Sequence, residues 1–249
     1  VTVTFAAKKP CLVFSPASEL AGSVVVASIG IPDQALQFDD RGVRLFELES
    51  SDAHAVFPAR AVDSHKGSFG HVLVVAGSVG KSGAAVLAAK GALRAGAGLV
   101  TVASVAEVCG VVSLSQPEVM TASLGAGAEC GDVARAAARV LEIVTGMDAL
   151  VIGPGLGRSD QTQEFILDVA GRCSVSVVID ADGLYGLRAQ TLSRIAQRDK
   201  PTILTPHPGE MARLLGTDNA SVQKDRVKAL RSAVTQTRST VVLKGRHTL

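Results

Sequence analysis

The stretch His71-Val72-Leu73-Val74-Val75-Ala76-Gly77-Ser78-Val79-Gly80-Lys81-Ser82-Gly83, running directly into the Ala/Leu-rich segment Ala84 to Ala95, decides the fold. A short, continuous apolar run with β-branched residues suits a strand buried on both faces. The glycine turn after it opens a segment of strong helix formers. The same unit recurs downstream, with strands expected at Gly98 to Ser104, Ala149 to Ile152, Val175 to Ile179, Thr202 to Leu204 and Thr240 to Leu243. Helices are expected at Gly131 to Thr145, Gln161 to Ala170, Leu187 to Arg198, Pro208 to Leu215 and Ser221 to Thr235. This alternation is the order expected of an α/β layer fold, with parallel strands covered by helices. No repeat of fixed period competes with that reading.

Composition agrees with a packed α/β core. Of 249 residues, 47% are hydrophobic and 19% charged, which argues against wholesale disorder. Aromatics reach only 3% while glycine numbers 25, so packing relies on small, closely approaching elements. A formal charge of +2 without a long Lys/Arg cluster gives no support for a nucleic-acid or membrane partner, and points to a small molecule instead. Cys11, Cys109, Cys130 and Cys173 lie far apart with no C-x-x-C pair, which suggests neither zinc nor a disulfide framework and fits a reducing, cytoplasmic setting. No apolar run approaches the roughly 20 residues of a membrane span, and the N-terminus lacks the order of a signal peptide.

Upstream of the α/β rhythm, Val1 to Phe5 and Val24 to Ile29 read as two strands without the helices a sheet needs. Asp33 to Ala61 is mixed and partly charged, and reads as a connector with some local structure.

Three glycine- or proline-marked turns follow strands and would share one rim of the sheet. The first, Ala76 to Gly83, misses the G-x-x-x-x-G-K-[ST] phosphate loop because position 75 is valine, which leaves ligand binding and tight packing both open. The second, Gly153-Pro154-Gly155-Leu156-Gly157, permits backbone approach to a bulky ligand. The third, Thr205-Pro206-His207-Pro208-Gly209-Glu210, places His207 at a helix entrance, as a cap or as a ligand contact. Asp180 and Asp182 end a strand and face the same rim, where capping and binding are equally open. Lys244, in Val241-Val242-Leu243-Lys244-Gly245-Arg246-His247-Thr248, offers a cation to a phosphate or simply to solvent.

Taken in order, these segments resemble the NAD(P)H-hydrate dehydratase family from about His65 to Thr248. The resemblance is carried by His65-Lys66-Gly67-Ser68-Phe69-Gly70, Val74-Val75-Ala76-Gly77-Ser78, Gly83-Ala84-Ala85, Arg94 to Val102, Gln116-Pro117-Glu118-Val119-Met120, Gly153 to Gly157, Asp180-Ala181-Asp182, Thr205 to Glu210, and Lys244-Gly245 with Thr248. It implies a three-layer α/β/α ribokinase-like domain with a mainly parallel sheet at residues 63–249, incomplete at its C-terminal end. Residues 1–35, through Thr2-Val3-Thr4-Phe5, Lys9-Pro10 and Ile29-Gly30-Ile31-Pro32, resemble the last part of an NAD(P)H-hydrate epimerase domain, with 36–62 as connector.

The implied activity is dehydration of the S form of hydrated NADH or NADPH, driven by ADP or ATP with Mg²⁺ as counter-charge. A phosphoryl group would pass to the hydroxyl of the damaged nicotinamide ring and then leave as phosphate. By the matching motifs Ala84, Gly157 and His207 would contact the hydrated dinucleotide. Lys244, Gly245, Arg246, His247 and Thr248 would line the adenine-nucleotide site. The family's catalytic Asp would fall beyond Leu249, so no catalytic residue is expected here and the chain itself is expected to be inactive. Tyr185 stands where the family usually has Asn, and Ser28 where the epimerase tail often has Asp. The resemblance also implies a homo-oligomer. Two other readings stay open: a small-molecule kinase of the same fold, and a catalytically dead nucleotide-binding remnant.

Overall fold

The computed structural model describes residues 1–32, 34, 45–57, 59–125, 133–188 and 190–249. They fall into two compact units, Val1–Val62 and Asp63–Leu249.

In the first unit, β1 (Thr2–Phe5) pairs in parallel with β2 (Val24–Ala27), Thr2 opposite Val24. A parallel pair cannot close through a two-residue hairpin and needs a crossover. Two short helices, α1 (Pro10–Val13) and α2 (Ala17–Ala21), lie on that crossover, so the expectation of strands without helices is corrected. Pro10 at the first helical position starts α1. In the stretch read as connector, α3 spans Ser50–Val56, with Glu49 and Asp52 satisfying each other's backbone N–H groups. Residues 35–44 and Pro58, part of that stretch, lie outside the described residues.

The second unit has a ribokinase-like α/β fold, three layers deep. Its strands are β3 (His71–Val75), β4 (Leu99–Ser104), β5 (Met120–Ser123), β6 (Ala149–Ile152), β7 (Ser176–Ile179), β8 (Thr202–Leu204) and β9 (Thr240–Val241). Their order in the sheet is β5-β4-β3-β6-β7-β8-β9, and every pairing is parallel. Successive strand residues point to opposite faces. Accordingly Leu73 and Val75 of β3 join one buried cluster while Val74 and Ala76 join the other. The second cluster is closed by α4 (Ser82–Arg94) and α5 (Ala106–Ser115), through Ala85, Ala89, Val108 and Val112. The first is closed by α6 (Val133–Ile143), α7 (Asp160–Arg172), α8 (Leu192–Ala196), α9 (Pro208–Leu215), α10 (Asn219–Lys224) and α11 (Arg226–Thr237).

Several expected boundaries move, each for a local reason. The run Ser221 to Thr235, expected as one helix, is two: Asp225 accepts a hydrogen bond from the Lys228 N–H and caps a new start. Leu187 to Arg198 is helical only over Leu192–Ala196. The expected strand Thr240 to Leu243 is assigned only over Thr240–Val241, yet the pairing continues: Val242 N–H donates to the Leu204 carbonyl at 2.7 Å and Lys244 N–H to that of Pro206 at 2.9 Å. Helix α5 and strand β5 were not expected at all. The helix is apolar almost all round, so it shows no amphipathic period, and β5 is only the four residues Met-Thr-Ala-Ser, with no Val, Ile or aromatic residue to mark a strand. The expected helix at Gly131 to Thr145 is seen over Val133–Ile143, residues 131 and 132 lying outside the described set.

No helix among the described residues is long and apolar enough to cross a membrane.

Strand β6 sits at the centre of the sheet and its Leu150 is fully buried. Leu150→Ala should lower unfolding free energy by about 2–5 kcal/mol, the transfer loss plus an unfilled cavity. A denaturant midpoint unchanged from that of the parent chain would contradict this placement.

Candidate functional site

In chain order the sheet grows from β3 outward through β4 to β5, then returns to β6 on the other side of β3 and continues to β9. The β3/β6 boundary is therefore the switch point, the place where open parallel sheets leave a ligand crevice at the carboxyl ends of their strands. The Gly77 and Gly153 turns meet there. Gly77 N–H donates to the Pro154 carbonyl at 2.8 Å, and the Ser78 hydroxyl to the Gly155 carbonyl at 2.7 Å. A Cβ on Gly155 would stand 2.7 Å from the Ala84 Cβ, and one on Gly153 only 2.1 Å from the Asp180 carbonyl oxygen. Gly155 also holds φ of 68°. Contact this close excludes any side chain at either position. Beside the two turns lies a recess lined by Gly77, Ser78, Ser104, Leu156, Ser159 and Phe165.

Asp182 ties the rim together. Its residue is 7% exposed, and its carboxylate accepts from Arg158 Nε at 2.7 Å, from the Gly157 N–H at 3.0 Å and from Lys81 Nζ at 3.3 Å. Gln163 Nε2 donates to the Asp182 carbonyl at 3.2 Å and to that of Gly157 at 3.3 Å. Burial alone would raise the Asp182 pKa, but the Arg158 guanidinium, the Gly157 N–H and the Lys81 ammonium outweigh it and hold the carboxyl below its ordinary value. The same pairing raises the Arg158 guanidinium.

Two residues before it, at the end of the same strand, Asp180 forms a second polar centre. Lys244 Nζ donates to its Oδ1 at 2.7 Å, and the Thr205 hydroxyl donates to the same oxygen at 2.7 Å. The turn after Lys244 is clamped by Arg226, whose Nη2 donates to the carbonyls of Leu243, Lys244 and His247 at 3.1, 3.2 and 3.2 Å. Gly245 packs on this clamp: a Cβ there would stand 2.8 Å from Arg226 Nη2. Gly245, Arg246 and Thr248 are exposed on the rim, and Lys244 and His247 are half-buried.

The remaining expected site residues lie along the same edge. Ala84, in the first turn of α4, is half-buried against Gly155. Gly157 has φ of 97° and open space where a Cβ would be, so a ligand can approach its backbone. His207 caps α9: its Nδ1 accepts from the N–H groups of Gly209 at 3.0 Å and Glu210 at 3.3 Å, while Glu210 accepts from the His207 N–H at 2.8 Å. Accepting at Nδ1 places the ring proton on Nε2, which faces Glu210 Oε1 at 3.3 Å. The ring is nonetheless 54% exposed, and its face is available. His71 is structural, its Nε2 lying 2.8 Å from the Thr101 hydroxyl, and burial lowers its pKa despite Asp148 nearby.

Sequence reading assigned no role to Arg158, Lys81 or Gln163. Their common partner lies 24, 101 and 19 residues away, a separation that carries no local signal. Among the described residues no group of three metal-ligating side chains occurs.

Comparison with known proteins agrees with this arrangement. The family model described as NAD(P)H-hydrate dehydratase matches residues 72–249. A bifunctional NAD(P)H-hydrate repair enzyme of Moorella thermoacetica is 41% identical over 252 residues, covering 100% of this chain and 46% of the relative. An ADP-dependent (S)-NAD(P)H-hydrate dehydratase of Neisseria meningitidis is 40% identical over 197 residues, covering 78% of this chain and 62% of the relative. Among solved structures, an ADP/ATP-dependent NAD(P)H-hydrate dehydratase of Bacillus subtilis, co-crystallised with ATP and Mg²⁺, superposes with a TM-score of 0.66 at 30% identity, covering 80% of this chain and 66% of that one. The chain thus spans about half to two thirds of the length of the proteins it matches.

The depressed Asp182 pKa has a signed consequence. Its stabilisation is fully present above the unfolded value near 3.8 and is lost as pH falls through the lower folded value. Asp182→Asn should cost about 1–3 kcal/mol at neutral pH through partners left without their charged acceptor. The gap between parent and variant, followed by denaturant titration, should narrow below about pH 4. A gap that stays constant down to pH 2, or widens, would show that Asp182 is not held ionised.

Proposed function

We propose, from the premise that the chain belongs to the NAD(P)H-hydrate dehydratase family, that its rim binds hydrated NADH or NADPH beside an adenine nucleotide. The whole enzyme, on this reading, restores the nicotinamide by ADP- or ATP-driven dehydration of the S form. The observation that carries the proposal is the convergence of five strand ends on one rim, with two polar centres, Asp182 and Asp180, side by side along it.

The two centres divide the work. Ala84, Gly157 and His207 flank the Asp182 side and take the dinucleotide. Gly157 offers open backbone, Ala84 keeps the helix start low enough for close approach, and His207 presents an imidazole face held by Glu210. Lys244 and the turn Gly245, Arg246, His247 and Thr248 take the adenine nucleotide, with the Lys244 ammonium set against phosphate oxygens and the turn held in shape by Arg226. Mg²⁺ suits this side, because it binds through one or two carboxylates plus substrate phosphates, and Asp180 supplies a carboxylate 32% exposed next to Lys244. When bound, the ion neutralises charge on the transferred phosphoryl group.

The lyase chemistry follows from the substrate. Hydroxide is a poor leaving group, so transfer of a phosphoryl group to the ring hydroxyl, with its proton going to a base, converts it into one that departs as phosphate. The ring then loses a proton and regains its double bond. The free thiols Cys11, Cys109 and Cys173 suit a cytoplasmic setting, and assembly into a homo-oligomer follows the family tendency.

Calorimetric titration separates the two halves of this proposal. Lys244→Ala should weaken ADP or ATP with Mg²⁺ by about tenfold or more, the loss of one charge-assisted contact, and leave NAD⁺ affinity within twofold. His207→Ala should do the reverse. An ADP affinity indifferent to Lys244 would remove the nucleotide assignment.

A further inference from the structure

Tyr185 carries a feature that neither polar centre uses. Three guanidinium groups surround its ring: Arg213 at 4.5 Å from the centroid, Arg158 at 5.3 Å and Arg188 at 5.9 Å. A guanidinium over an aromatic face gains only a modest attraction at an exposed site, and that attraction must hold three like charges together. Arg158 shares the Asp182 carboxylate with Lys81. Glu210, the other carboxylate close by, is occupied by His207. Among the described residues, no carboxylate comes within 4.0 Å of Arg188 or Arg213. Among the described residues, then, neither group is held in an ion pair.

The cluster also has a definite position. Arg158 follows Gly157 directly in sequence, and Tyr185 follows the short helical turn Ala181–Leu184 that carries Asp182. Arg213 belongs to α9, the helix that His207 caps. Side chains on a helix lean toward its N-terminus, which here is the rim end, so Arg213 reaches back toward His207 rather than away from it. Arg158 and Arg188 are exposed, and Arg213 and Tyr185 half-buried, so the guanidinium donors are open to solvent beside the proposed dinucleotide contacts.

We infer that Arg158, Arg188 and Arg213, gathered on the Tyr185 ring, form a phosphate-binding subsite that anchors the dinucleotide substrate away from its reacting ring. Guanidinium forks match phosphate oxygens in pairs, and a dianion placed among them would relieve the repulsion that the ring alone offsets. The inference rests on the reading of the Gly157–His207 edge as the dinucleotide side. The ligand chemistry is a phosphate oxyanion, supplied either by the 2′-phosphomonoester of the NADPH form or by the diphosphate bridge common to both forms.

The test titrates the full 249-residue chain with NADP⁺, NAD⁺ and inorganic pyrophosphate, against Arg188→Ala, Arg213→Gln, Arg213→Lys and His207→Ala. Thermal melting of each variant, without ligand, confirms that it folds. The subsite predicts a fall of about tenfold in affinity for Arg188→Ala and Arg213→Gln, partial retention in Arg213→Lys, and a shallower dependence on salt in each. A loss confined to NADP⁺ assigns the phosphomonoester; an equal loss for NADP⁺ and NAD⁺ assigns the bridge. Pyrophosphate binding that disappears in Arg188→Ala sustains the subsite even if neither dinucleotide binds, and in that case it is the dinucleotide reading that fails. Affinities for all three ligands unchanged by both arginine replacements overturn the subsite, whatever His207→Ala does.

Discussion

A single buried carboxylate, that of Asp182, holds the functional edge of this molecule together. Removing it from water is costly, and the cost is offset only because three donors converge on it: Arg158 at 2.7 Å, the Gly157 N–H at 3.0 Å and Lys81 at 3.3 Å. Those donors come from the turn after β3 and the turn after β6, while Asp182 itself follows β7. One group thereby sets the spacing of three strand ends. The Lys81 side chain stays half exposed, and Gly157 keeps open space where a Cβ would be.

Backbone proximity makes that hub reachable. The Gly153 Cα lies where a Cβ would meet the Asp180 carbonyl at 2.1 Å, and a Cβ on Gly183 would stand 2.9 Å from the Ile152 carbonyl. With so few aromatics, the sheet ends are closed by main chain on main chain rather than by large side chains. Glycine-built turns of this kind leave the main chain open to close approach. Asp180 and Asp182, two residues apart after one strand, hold different cations, Lys244 on the first and Arg158 on the second.

The arginine cluster extends this logic. Tyr185 occupies the turn that continues from Asp182, and its ring collects guanidinium groups from the Gly157 turn, from its own loop and from α9. A smaller amide at that position would offer no such platform.

Much of the fold was legible in the chain alone, because buried parallel strands announce themselves as apolar runs such as Leu73 to Val75 and Leu150 to Ile152, and because Gly and Pro mark where strands turn into helices. Strand β8 and helix α9 were read to the residue for that reason, and His207 as a helix entrance because Pro208 can only begin a helix there. Helix α5 and strand β5 were not legible: a largely apolar helix shows no period, and a four-residue strand without Val, Ile or an aromatic does not stand out. The broken helix at Asp225 turned on a cap that the pattern did not reveal. Sequence by itself also determined the family, through short motifs in a fixed order. Only the tertiary structure decided which side chains meet, that Lys81 and Arg158 share Asp182, that Lys244 pairs with Asp180, and that three arginines share one tyrosine. The physical reason is that hydrogen bonds and charge pairs act over a few ångströms of space, and residues up to 101 positions apart enter that range only once the parallel sheet has aligned its strand ends.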